Sequence, residues 1–164
     1  MVSVEDYLST SYPDGDREYV DGQIVERNVG ERLHARTQAL VAGYLLVHYP
    51  QFWAAVSTRV MLTARCCRVP DACLIVGPWP GPERGPLLEP PFLAVEVLSP
   101  DDRAGEFQEK IDDYLRAGVK FVWVINPYMK RAEVYTSEGS REAKDGVLRT
   151  DDPKIEVPLA ELFK

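Results

Sequence analysis

Apolar positions recur along the chain at two different spacings, and the switch between them divides the sequence into elements. Leu33, Leu40, Val41, Tyr44 and Val47 keep helical spacing and predict a helix from about Glu31 to His48, stopped by Pro50. Phe107, Ile111, Tyr114 and Leu115 mark a second, amphipathic helix. It begins near Asp101-Asp102, where acids suit the positive end of a helix, runs to Ala117 and stops at Gly118. Short apolar runs elsewhere read as strands: Phe52 to Val56, Arg59 to Ala64, Val69 to Val76, Phe92 to Leu98 and Phe121 to Ile125. Arg131 to Thr136 reads as a more exposed strand. Glu18 to Val25 alternates about Asp21-Gly22, a strong hairpin signal. Ser3 caps a short helix carrying Glu5, Asp6, Tyr7 and Leu8, which ends at the loop Pro13-Asp14-Gly15. Helices and strands intermix, so the pattern predicts an α/β (α+β mixed) fold with a central mixed sheet flanked by helices, residues 1–164 forming one domain.

Gly77 to Pro91 holds six prolines and three glycines, too many for regular structure, and reads as an exposed loop. A mere connector is the simpler reading. A long loop between two strands is also a place for substrate contacts or an oligomer interface. Its apolar Trp79 and Leu87 make a homodimer an expectation.

Two of the apolar runs each carry one acid: Asp71 in the run Val69 to Val76, and Glu96 in the run Phe92 to Leu98. An unpaired buried carboxylate costs several kcal/mol, so such groups keep a cation, a metal or hydrogen-bond donors beside them. Two acids on neighbouring strands also repel, and a hard divalent ion with oxygen ligands relieves both problems. Mg²⁺, with Mn²⁺ as a substitute, fits best. Such an ion would polarise a phosphoryl oxygen and lower the pKa of a bound water. Lys110 lies about 60° from the centre of the apolar face of its helix, at 100° per residue. From that border its stem can run along apolar surface and deliver the ammonium into an adjoining cleft, to stabilise a developing phosphorane or position water. His34 falls on the flank of the first long helix near Gln38, where it could meet phosphate or a metal-bound water; a packing histidine is the plainer reading. Tyr114, one turn beyond Lys110, reads as a packing ring, and Trp53 and Trp123 as core or interface residues.

Composition bounds these readings. A chain of 164 residues with 45% hydrophobic content suits one globular domain with a sizeable core. No apolar run approaches the roughly 20 residues that span a bilayer, and no basic region followed by an apolar one opens the chain, so a cytoplasmic location without membrane association is expected. Cys66, Cys67 and Cys73 are odd in number and clustered, which reads as reduced thiols rather than a disulfide framework or zinc site. The net charge of −7 speaks against holding nucleic acid by bulk attraction, although metal-binding carboxylates contribute part of that charge. Arg59, Arg65, Arg68, Arg103 and Lys110 are the candidate phosphate contacts; for the first three, a plain exposed strand face is an equal reading.

Glu18-Tyr19-Val20-Asp21-Gly22, His34, Arg68-Val69-Pro70-Asp71, Val95-Glu96-Val97-Leu98-Ser99-Pro100, Lys110, Tyr114, Ala117-Gly118-Val119 and Trp123-Val124-Ile125-Asn126-Pro127 stand in one order over almost the whole chain. In that order the chain resembles the Uma family of the PD-(D/E)XK restriction-endonuclease-like superfamily. The resemblance implies a restriction-endonuclease-like sheet, with Asp71 and Glu96 holding the metal and the backbone carbonyl of Val97 as a third ligand. It further implies that Lys110 replaces the lysine the wider superfamily places two residues after the acid, where this chain has Leu98. Relatives often carry Asp four residues before that lysine, where this chain has Glu106. The resemblance gives Glu18 and His34 assisting roles; a surface salt bridge is the alternative for Glu18. The expected activity is that of a Mg²⁺-dependent endonuclease acting on nucleic acid, with DNA the expected substrate. A nuclease-fold binding or assembly module without turnover is the alternative, and hydrolysis of another phosphoester is a third reading.

Overall fold

The two helical spacings and most of the apolar runs form the elements they predict, but the strands divide among three sheets. The computed structural model describes residues 1–28, 30–78 and 81–164. The chain opens with α1 (Val4–Ser9), whose Ser3 cap accepts from the Asp6 N–H, followed by the hairpin of β1 (Glu18–Val20) and β2 (Gln23–Val25). Asp21 and Gly22 both take positive φ, 49° and 86°, as a two-residue turn matched to strand twist requires. Then come α2 (Arg32–His48), β3 (Trp53–Val56), β4 (Val60–Thr63), β5 (Cys66–Arg68), β6 (Ala72–Ile75) and β7 (Leu93–Val97). The second half holds α3 (Ala104–Arg116), β8 (Phe121–Asn126), β9 (Arg131–Thr136), β10 (Gly139–Glu142), β11 (Val147–Arg149), β12 (Glu156–Pro158) and α4 (Leu159–Leu162).

The main sheet has six strands in the order β10-β9-β8-β7-β6-β3. Only β7 and β8 run parallel, and α3 is the crossover that such a pair needs. The mixed sheet predicted from sequence is therefore present. Alternation sends Leu93, Val95 and Val97 of β7, with Trp123 and Ile125 of β8, to the face covered by Val41 and Leu45 of α2. Ala94, Val122 and Val124 point the other way, to Ile111 and Tyr114 of α3. Glu96, one step after Val95, shares this α3 face. With both faces covered, all of β7 is buried, which is why its run is continuously apolar but for one acid.

The expected strand from Val69 to Val76 is two strands in two sheets. β5 belongs to the four-stranded sheet β2-β1-β5-β4, whereas β6 belongs to the main sheet. Pro70 has no N–H for a ladder and a fixed φ, so the chain leaves one sheet there and enters the other at Ala72. Asp71 thus sits at the joint between sheets rather than inside a strand.

The proline-rich loop also differs from expectation at Leu87. Its N–H donates to Arg59 O and its carbonyl accepts from Met61 N, both at 2.8 Å, and its side chain joins the α3-side core. Leu87 is therefore unavailable to the homodimer interface expected of it; Trp79 lies outside the described residues. β10, β11, β12 and α4 are additions to the sequence reading. Leu148, Val157, Leu159 and Leu162 in the last three of them, with Ile155 just before β12, close the α2-side core.

Candidate active site

Five chain-distant residues singled out in the sequence, Glu18, His34, Asp71, Glu96 and Lys110, line one cleft of about 500 Å³. β1 presents Glu18, the first turn of α2 presents His34, and the inter-sheet joint presents Asp71. β7 presents Glu96, and α3 carries Lys110 across to it. Lys110 Nζ stands 2.8 Å from Glu18 Oε1 and 2.9 Å from Glu96 Oε1. Asp71 Oδ2 accepts from the Val97 N–H at 2.7 Å and lies 3.2 Å from His34 Nε2. The amphipathic border position of Lys110 does deliver its ammonium into the adjoining cleft.

Four more side chains complete the arrangement. Tyr114 donates its hydroxyl to Glu96 Oε1 at 2.6 Å, so the buried ring also has a polar role. Gln38 Nε2 donates to the Asp71 backbone carbonyl at 2.8 Å and to Ser57 Oγ at 3.0 Å, fixing the inter-sheet joint. Arg68 bridges Glu18 Oε2 at 2.9 Å and Asp113 Oδ2 at 2.7 Å. Arg27 Nη2 donates to Asp71 Oδ1 at 3.1 Å. Gln38 and Tyr114 each stand four residues after a predicted site residue, a spacing that places both on the site faces of their helices. Arg27 lies in the irregular segment after β2, where no periodicity indicates where its side chain goes.

Each of Glu18, Asp71 and Glu96 is only 3% exposed, so the cleft must supply the charge balance that water would otherwise give. Burial pushes the Glu18 carboxyl up, but Lys110 and Arg68 overcome this and hold it below its ordinary range. Burial likewise opposes ionisation of Asp71, and the bond from His34, the charge of Lys110 and the Val97 N–H win. The balance at Glu96 goes the other way. Desolvation pushes it up to about 7, Lys110 opposes, and the neighbouring carboxylates Asp71 and Glu18 add to the rise. His34 is raised by its bond to Asp71 against the pull of burial. Burial opposes the charged form of Lys110, but Glu18, Glu96 and Asp71 together raise its pKa.

Of the candidate phosphate contacts, Arg68, Arg103 and Lys110 line the cleft. Arg59 instead grips Asp16 at 2.7 Å and carbonyls around α1, and Arg65 pairs with Asp21 beside the hairpin turn. The rim carries the acids Glu26, Asp101, Asp102 and Glu106 as well. The three cysteines are free and buried.

The donor chemistry fits a hard divalent ion. Asp71 and Glu96 offer carboxylate oxygens, their mutual repulsion contributes to the rise at Glu96, and Val97 reaches the cleft as the end of β7. Among the described residues no three His, Cys, Asp or Glu side chains stand together as a ready-made cage. The groups that could hold such an ion are the carboxylates of Asp71 and Glu96 with the backbone carbonyl of Val97, a sparse set that would suit an ion retaining several waters, as Mg²⁺ does.

A family model described as "Uma2: Putative restriction endonuclease" matches residues 4–162. The chain belongs to the Uma2 family. Its fold is also that of a solved structure, described as a putative nuclease belonging to DUF820 from Anabaena variabilis ATCC 29413. The two superpose with a TM-score of 0.82 at 21% identity, covering 99% of this chain and 98% of the other. No curated protein matches the chain. The Uma2 match spans every element that builds the cleft, from β1 to α3. Among the described residues of this Uma2 chain, no helix is long and apolar enough to cross a membrane.

Proposed function

We propose that this protein is a Mg²⁺-dependent endonuclease that hydrolyses phosphodiester bonds, with DNA as the expected substrate and Mn²⁺ as an accepted substitute ion. The observation that carries the reading is the contact of Lys110 with both Glu18 and Glu96 in the cleft that also holds Asp71. In this reading Asp71, Glu96 and the Val97 carbonyl hold the ion, which when bound supplies Lewis-acid polarisation of a phosphoryl oxygen.

The chain's own groups do the remaining work. Lys110 stabilises negative charge developing on the phosphoryl group and orients the attacking water. Glu18 and Arg68 hold Lys110 against the site, since Glu18 accepts from both. His34 holds the Asp71 carboxylate and Gln38 its backbone, so Asp71 has a fixed aim. Tyr114 and Lys110 stabilise the charged form of Glu96 in its apolar setting.

A plasmid-cleavage assay with Mg²⁺ or Mn²⁺ on the wild type and on Asp71→Ala tests this. Nicking by the wild type alone supports the site, and equal nicking by both proteins rejects it. The acidic rim and the net charge of −7 favour a second reading, a nuclease-fold binding or assembly module without turnover. Calorimetric titration separates the two: metal binding that depends on Asp71 and Glu96, with no cleavage of any nucleic acid, identifies the module.

A further inference from the structure

Arg27 makes the closest cationic contact to Asp71 Oδ1, at 3.1 Å. The other oxygen, Oδ2, already accepts from Val97 N and meets His34. A metal that binds Asp71 therefore has to approach Oδ1, the oxygen Arg27 occupies. The charges agree with this geometry. When ionised, Glu18, Asp71, Glu96 and Asp113 carry four negative charges, which Arg27, Arg68, Lys110 and a protonated His34 match with four positive ones. A divalent ion added beside Arg27 would overcharge a buried site.

The segment that bears Arg27 is held across the cleft at its edges. Asn28 Nδ2 donates to Asp102 Oδ1 at 2.6 Å, at the loop preceding α3, and Tyr128 donates to Glu31 Oε2 at 2.9 Å from the turn after β8. Both bonds are exposed, so water competes for them, and the Arg27 side chain is itself 21% exposed. Arg68, by contrast, is clamped between Glu18 and Asp113 and has no such exit.

We propose that Arg27 is a tethered cation that occupies the metal position of the resting site, and that a divalent ion binds only by displacing it. This deepens the metal reading of the same site and rests on it. Displacement makes the measured metal affinity the difference between two cations for one carboxylate oxygen.

The test is titration of MnCl₂ into the metal-free full-length protein, followed by calorimetry and by the rise in melting temperature. Arg27→Gln should bind Mn²⁺ at least about tenfold more tightly than wild type, equivalent to about 1.4 kcal/mol. Asn28→Ala, which frees the arm but keeps its charge, should shift affinity in the same direction by less. It decides the matter if Arg27→Gln does not fold. The metal-free Arg27→Gln protein should also melt lower than wild type and gain more from Mn²⁺. Equal or weaker Mn²⁺ binding by both variants overturns the displacement. Mn²⁺ binding by Asp71→Asn as tight as that of wild type, or no binding by any protein, overturns the metal reading itself and the displacement with it.

Discussion

Lys110 and Tyr114, one turn apart on α3, deliver their polar ends to a single atom, Oε1 of Glu96, at 2.9 Å and 2.6 Å. The convergence ties the packing of α3 to the state of the site, because the ring of Tyr114 belongs to the core that seats the helix. Tyr114→Phe keeps that ring and removes one donor to a charged acceptor. The loss should be about 1.5–3 kcal/mol when Glu96 is ionised, and about 1 kcal/mol when it is protonated. Urea denaturation of the metal-free proteins at pH 8 and pH 5 checks this, with the larger deficit expected at pH 8.

The ammonium of Lys110 is shared by two buried acids, so its removal leaves both uncompensated. Lys110→Met should destabilise the protein by about 3–5 kcal/mol. Adding Glu18→Gln should recover part of that loss, because one of the orphaned charges is then gone. A double-mutant cycle by chemical denaturation measures the coupling, and additive single losses would show that the two groups do not share a charge balance.

Glu96 gives the metal-free protein a distinctive pH response. Its folded carboxyl is pushed up to about 7 by burial. A folded pKa above the unfolded value favours folding most at low pH, and that contribution declines as pH rises towards about 7. Glu18 and Asp71 are shifted down and act oppositely, contributing stability that is lost on acidification. Glu96→Gln removes only the first effect. In chelator, its stability relative to wild type should therefore rise from about pH 5 to about pH 7 and level off above. A constant difference across that range would show that Glu96 does not titrate there.

Most of this centre is legible in the sequence for physical reasons that can be named. Single acids in continuously apolar runs mark Asp71 and Glu96, since burial of a charge demands a partner. Helical geometry places Lys110 at the edge of an amphipathic face, and the same geometry places Gln38 beside His34. Asp71 shows where the local pattern misleads. The apolar run continues through it, but Pro70 interrupts the ladder and the chain changes sheets. Arg27 and Leu87 sit in irregular segments, whose side-chain directions depend on tertiary contacts rather than on a repeat. β10 carries only Gly139, Ser140, Arg141 and Glu142 and pairs at one edge, so no apolar alternation announces it. The core contributions of Leu148 and Val157 come from strands of three residues, too short to show a period, and Ile155 lies in the connection just before β12.

The arrangement of the cleft is tested most directly by an anomalous difference map from crystals soaked in MnCl₂. The account predicts one strong peak between the carboxylates of Asp71 and Glu96, within ligation distance of the Val97 carbonyl, with the Arg27 guanidinium moved off Asp71 Oδ1. A peak elsewhere on the protein, with Arg27 still bonded to Asp71 and the cleft holding no manganese, would contradict it.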